Sequence, residues 1–243
     1  VDARGHEPLR EASLTLHEGE IVGIAGVAGN GQSELLEVLA GLVQPTRGVI
    51  RLDGRILTTA DRSPANLRRL GLMHIPEDRQ KTGLVTAFAA AENMILGYHD
   101  DPAFGPGPLL APSAIRCHAL AGMQAYDVRP ADPTLKTAKF SGGNQQKLVL
   151  AREIERAPKV LLVGQPTRGV DIGAIEFIHR RLIALRDAGV AILLVSVELE
   201  EVMALSDRIL ALCGGRITGE RAAEEADERD LGLLMAGVSE RAA

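Results

Sequence analysis

The sequence predicts an α/β fold with a parallel-rich sheet and an inserted helical segment. Three observations carry this. Gly19–Ala25, Lys159–Val163 and Val190–Ser196 are continuous apolar runs, the pattern of strands buried on both faces. The first two run into polar turns and all three are followed by helical stretches, as in βα units. Between them, from about 77 to 157, the chain reads as helix and loop.

In chain order, Leu9–His17 alternates apolar and polar residues and is read as an antiparallel strand opening an N-terminal β subdomain. Gly19–Ala25 is the first buried strand. A helix over Glu34–Leu42 follows, with stop signals at Gly41 and Pro45. Gly48–Leu52 and Arg55–Leu57 flank Asp53-Gly54, a hairpin signature. Asn66–Leu70 is a short helix and Gly71–Ile75 a strand. Pro76–Gly83 is polar, Ala87–Gly97 helical, and Asp100–Pro112 a loop on its four prolines and two glycines. Helices are expected over Ser113–Tyr126 and from Ser141 to Ile154. Ala174–Ala188 places Ile175, Ile178, Leu182 and Leu185 on one face and is closed by Gly189. Leu199–Leu205 is a helix, and Asp207–Leu212 with Arg216–Thr218 a hairpin. The acidic, alanine-rich tail after Glu220 is left open between helix and frayed chain. The expected organisation is one domain over 1–243: a core of 1–76 and 158–220, a helical subdomain over about 77–157, and a tail over 221–243. Because the chain opens on Val1, almost inside a strand, it is read as a domain excised from a longer two-domain protein.

Composition narrows the function classes. The 243 residues carry a net charge of −5, so no basic field argues for nucleic acid. Aromatics are 2% and tryptophan is absent, which argues against base-stacking platforms. Cys117 and Cys213 lie far apart without ligand spacing and are read as reduced thiols. The six histidines show no ligand spacing either. No apolar run approaches the ~20 residues that cross a bilayer.

The most informative stretch is GVAGNGQS, Gly26–Ser33, between an apolar strand and a helix. Gly26, Gly29, Asn30, Gly31 and Ser33 fit the phosphate loop G-x-x-x-x-G-K-[ST], and Gln32 stands where the lysine belongs. Glycines let successive N–H groups converge on an anion, and the following helix adds its free N–H groups and positive dipole end. A second stretch, FSGGNQQKLVLARE (Phe140–Glu153), sets Ser141, Gly142, Gly143 and Asn144 at a helix start. Ser141 alone would be an ordinary N-cap. Two successive glycines cost helix stability and point to an anion site. A third, KVLLVGQPTRGVDIGA (Lys159–Ala174), runs a buried strand into a polar turn. There phosphate-loop hydrolases keep a magnesium-holding aspartate and a water-orienting glutamate, and this chain has Gly164 and Gln165.

Taken together, these motifs resemble the nucleotide-binding domains of ABC transporters, over Leu9 to about Gly219. The resemblance implies a P-loop NTPase (RecA-like) core. GVAGNGQSELLE, IPEDR followed by GLV, SGGNQQKLVLARE and QPTRGVDIGAIEFIHRRL look like the second, C-terminal ATP-binding domain of tandem bacterial importers of nucleosides or simple sugars, leaning to the nucleoside branch. The resemblance implies ATP as ligand, bound at Gly26, Gly29, Asn30, Gly31, Gln32 and Ser33. Glu77 stands at the glutamine-loop position, a contact to metal and membrane partner. Ser33 is implied as a weak magnesium ligand, and with the aspartate position held by Gly164, Mg2+ is expected to be held weakly or not at all. Ser141, Gly142, Gly143 and Asn144 match the signature that binds ATP held by the opposite domain, and Asp171 matches the D-loop. Val197 stands at the switch histidine. The aromatic that stacks on adenine should precede Leu9, and Val1–Pro8 contains none.

The departures sort by site. The chain's own site has lost the lysine, aspartate, glutamate and histidine, to Gln32, Gly164, Gln165 and Val197, while Ser141, Gly142, Gly143 and Asp171, which reach across to a partner, are kept. One cation is lost against two carboxylates, so no buried charge is stranded. The expectation is a domain with no intact catalytic residue of its own, whose signature completes the ATP site of a second nucleotide-binding domain. The expected partners are that domain, as the N-terminal half of the same protein, membrane permease subunits, and indirectly a substrate-binding protein, with no nucleic acid. The expected location is peripheral, on the cytoplasmic side of the plasma membrane. A fully active ATPase domain of a sugar importer and a non-transport ABC protein are the alternatives.

Overall fold

The computed structural model describes residues 7–106 and 109–238. Two compact units are formed. One comprises Val1–His74, Lys159–Gln165 and Arg181–Ala243, and the other Ile75–Pro158 and Pro166–Arg180.

The first unit is built on a six-stranded sheet. Its strands are β1 (Ile21–Ala25), β4 (Leu72–Ile75), β5 (Val160–Gly164), β6 (Ala191–Val195), β7 (Arg208–Cys213) and β8 (Arg216–Ala222), in the order β4-β5-β6-β1-β7-β8. β5, β6, β1 and β7 pair in parallel, and β8 returns antiparallel to β7. Every residue of β1 and β6 is buried, as their unbroken apolar sequences predict. The two-residue period splits the packing. Val22, Ile24, Leu210 and Leu212 join one cluster with Leu35 and Leu36 of α1 (Gln32–Leu39), and Ala25 and Ile209 join another with Val202 of α7 (Leu199–Leu205). Each such fully buried aliphatic side chain contributes roughly 1.5–3 kcal/mol. At Gly23 a Cβ would stand 2.2 Å from Ser206 Oγ and 2.7 Å from Val202 Cγ1, so α7 lies on β1 only because that residue is glycine.

The N-terminal antiparallel region is smaller than the alternation of Leu9–His17 suggests. Among the described residues it is the hairpin β2 (Arg51–Leu52) and β3 (Arg55–Ile56), with Asp53 and Gly54 at φ 51° and 73°, the positive pair that a type I′ turn requires. Leu9–His17 carries no strand. Leu9, Leu14 and Leu16 pack on the core, and the segment is tethered by single bonds such as Arg10 N to Gly215 O. Alternation thus reported a half-buried segment, not a ladder. α2 (Pro64–Arg69) starts earlier than expected because Ser63 caps it, accepting from Asn66 N. The tail resolves into the end of β8 and α8 (Glu228–Met235), capped by Asp227.

The second unit holds α3 (Ala90–Met94), α4 (Pro112–Ala125), α5 (Gly142–Ile154) and the first turns of α6 (Ile172–Asp187). α3 is shorter than Ala87–Gly97 predicted. Asn93 is bonded to Val85 O, Ala89 O and Thr137 Oγ1, which secures the segment through side-chain bonds in place of further helical turns. Residues 1–6, 107–108 and 239–243 lie outside the described residues, and with them most of the stretch in which an adenine-stacking aromatic was sought.

Candidate functional site

In the first unit, register brings three chain segments to one sheet edge. Gly164 pairs with Val195, and Val195 with Ile24. These strands are parallel, so the loop at Gly26, the turn at Gln165 and the segment at Val197 all leave from their carboxyl ends. Ligands of open parallel sheets bind at that edge.

The loop runs from β1 into α1 with Gly29 and Gly31 at φ 89° and 109°. Gln32 is buried, at 6% exposure, and folds back into the loop. Its Nε2 donates to Val27 O at 3.0 Å, and its Oε1 accepts from Asn30 N at 3.2 Å. Gln165 is likewise buried, with φ at 47°. Its backbone N donates to Val195 O, and its Oε1 accepts from Val197 N at 3.3 Å. A carboxamide in this position has no basic form to take a proton from water. Gly164 brings no side chain, and the Val197 side chain is largely exposed and apolar. Among the described residues no group of three or more His, Cys, Asp or Glu is clustered to hold a metal. The loop amides and glycine conformations fit phosphate. For magnesium the loop offers the Ser33 hydroxyl, one oxygen of the several such a cation takes.

In the second unit, Ser141 caps α5: its Oγ accepts from Asn144 N at 3.4 Å and from Asn144 Nδ2 at 2.9 Å. Asn144 Oδ1 accepts from Arg129 N, fixing the amide. The two glycines have a packing cause. A Cβ on Gly142 would stand 2.7 Å from Gly169 O, and one on Gly143 would stand 2.9 Å from Asp171 Oδ2. The turn that carries Asp171 lies directly on the first turn of α5. Asp171 itself heads α6, its Oδ1 accepting from Ala174 N at 2.9 Å. Arg79 ties this corner together, donating to Arg168 O at 2.6 Å and Gly169 O at 3.3 Å. Burial lowers its pKa from the ordinary arginine value against a smaller opposing pull from Asp78. Glu77 is half-buried just before Asp78, whose Oδ1 accepts from Gln80 N and Lys81 N and starts a π-helical turn over Arg79–Gly83.

Residues 9–168 match the family model described as ABC transporter. The chain belongs to the ABC transporter family. It is an ABC ATP-binding domain homologous to nucleoside and sugar import ATP-binding proteins. The guanosine import ATP-binding protein NupO of Bacillus subtilis is 46% identical over all of this chain and 47% of its own length. The glucose import ATP-binding protein TsgD13 of Haloferax volcanii is 44% identical over 98% of this chain and 43% of its own length. The chain thus spans about half the length of the curated relatives it matches. A dimeric ATP-binding cassette in a post-hydrolysis state, bound to ADP and Pi, superposes with a TM-score of 0.74 at 24% identity, covering 89% of this chain and 90% of that one, which establishes the fold. Family membership implies ATP as the ligand, typically with Mg2+. No helix among the described residues is long and apolar enough to cross a membrane.

In this ABC domain the sequence pattern does not give what Arg79 and Gln145 hold in place. The Arg79 guanidinium reaches the turn at Arg168 and Gly169, beside Ser141–Gly143. Gln145, buried behind the signature, donates to Thr137 O and Phe140 O and accepts from Gln80 Nε2, fixing the strand-like entry to α5. The Arg79 contacts and the Gln80–Gln145 bond join residues dozens of positions apart.

Proposed function

We propose that this chain is the energy-coupling, signature-donating ATP-binding domain of an importer of nucleosides or simple sugars, with an own site that hydrolyses poorly. The observation that carries this is the separation of losses. Gln32, Gly164, Gln165 and Val197 replace the charged or proton-transferring residues of the chain's own site, whereas Ser141, Gly142, Gly143, Asn144 and Asp171 keep the chemistry that serves a partner's ATP. The own site holds nucleotide through loop amides and Ser33, and gives magnesium little purchase. Gly164 in place of the aspartate removes a carboxylate ligand, and Gln165 cannot act as a base. Glu77 and the residues after it contact the membrane partner.

The partner domain is the N-terminal half of the same protein, of which this chain is the C-terminal half, and the relatives of about twice its length support that arrangement. The similarity to a guanosine import protein, with QPTRG and IEFIH in the sequence, favours a nucleoside cargo. The assembly is peripheral, on the cytoplasmic side of the plasma membrane, with permease subunits above it and a substrate-binding protein delivering cargo. Affinity purification of the native protein from detergent-solubilised membranes tests this. Permease subunits are expected in stoichiometric amounts, and recovery with ribosomes or DNA instead would overturn the assignment.

A further inference from the structure

We propose that Gln32 is a built-in blocker of the phosphate loop. Its carboxamide takes the hydrogen-bonding place of a phosphate oxygen, and a nucleoside triphosphate binds only by displacing it. This rests on the function proposed above and adds a device to the same site.

A lysine in this position carries donors and no acceptor, so it cannot satisfy an N–H group of the loop. Glutamine carries both, and both are used. Nε2 donates to Val27 O at 3.0 Å. Oε1 accepts from Asn30 N at 3.2 Å, an N–H that is bifurcated and donates to Val27 O at the same distance. Asn30 N is one of the successive amides that a phosphate loop turns toward its anion. The rest of Asn30 is held as well: its Oδ1 accepts from Gly214 N at 3.0 Å and its backbone O from Gly215 N at 2.8 Å.

The seat of the carboxamide is built for it. Gln32 is 6% exposed, and a Cβ on Gly26 would fall 2.4 Å from Nε2, so the side chain folds in only over a glycine. The Asn30 N–H is shared between Gln32 Oε1 and Val27 O, so a phosphate oxygen that takes it must compete with the carboxamide. Replacing lysine by glutamine therefore does two things: it removes the cation that attracts phosphate, and it supplies an internal competitor for the phosphate.

The test titrates the chain with a fluorescent ATP analogue in the presence of Mg2+, comparing the wild type with Gln32→Ala and Gln32→Met. Methionine keeps the length of the side chain and removes both polar atoms. Both variants are expected to bind about three- to tenfold more tightly, the effect of releasing one or two modest hydrogen bonds. Equal or weaker binding by the variants, or no binding by any of the three, would overturn the blocker. If the variants do not fold, the wild type decides. Its Gln32 side-chain NH2 resonances are expected to shift as the analogue is added. Resonances that stay in place while the analogue binds would overturn it. Brisk magnesium-dependent turnover by the wild type would instead remove the proposed hydrolysis-poor role, and the order of binding would still judge the blocker.

Discussion

Replacing Glu153 by alanine is expected to destabilise the chain by about 3–5 kcal/mol, the range for breaking a buried ion pair from one side. Glu153 is fully buried and Arg152 is 4% exposed. The carboxylate accepts from Arg152 Nε at 2.7 Å and from Tyr98 OH at 2.6 Å. Arg152 Nη1 in turn donates to Gly83 O at 2.8 Å and Asn93 O at 3.3 Å. The alanine variant leaves a guanidinium in the interior with no counter-charge and a tyrosine hydroxyl that has lost its acceptor. For a chain of this size the thermal midpoint should fall by roughly 10 °C. The double variant Arg152→Met, Glu153→Leu removes both charges and should recover much of the loss, because apolar groups of similar volume often replace a buried pair without penalty. Thermal and urea melts of the three proteins check this. A Glu153→Ala protein within 1 kcal/mol of wild type would show that the pair is not buried as described.

Ser141→Asp in the complete transporter is expected to lower ATP turnover by about 100-fold or more, the scale seen when a preorganised donor to a developing anion is removed. The substitution separates function from folding. Aspartate is as good an N-cap as serine, so α5 keeps the acceptor that Asn144 N uses. It also places a negative charge where the proposed partner phosphate must sit. Gln165→Ala in the same assembly should leave turnover within about twofold, because Gln165 belongs to the site proposed to hydrolyse poorly. Equal melting temperatures with lost turnover for Ser141→Asp alone would support the asymmetry. Loss of turnover in Gln165→Ala would count against it.

The legible parts of the fold were those set by short-range pattern. β1, β5 and β6 were readable because strands buried on both faces need unbroken apolar runs, and Ser141 and Asp53-Gly54 declare a cap or a turn within four residues, whereas the Ser63 cap of α2 went unread. Leu9–His17 was misread for a physical reason: alternation encodes which residues are buried and is silent on whether another strand lies alongside. The glycine pair Gly142-Gly143 was read as room for an anion. In the structure its missing side chains also make room for Gly169 O and Asp171, a cause invisible until residues 169–171 are brought onto α5. The contacts of Arg79 and the burial of the Arg152–Glu153 pair were not legible, because Arg168 O, Gly169 O, Gly83 O, Asn93 O and Tyr98 are distant in sequence and backbone carbonyls carry no sequence signal. The substitution at Gln32 was plain in the sequence, and its hydrogen bonds to its own loop were not.

The chain's own site is proposed to hold nucleotide and to hydrolyse it poorly or not at all. The direct measurement is steady-state phosphate release by the isolated chain with Mg2+ and ATP, at concentrations where binding of a fluorescent ATP analogue shows the site to be occupied. The expected result is release indistinguishable from a no-protein control. Robust, magnesium-dependent release that persists through repurification and is abolished by Ser33→Ala would contradict the claim.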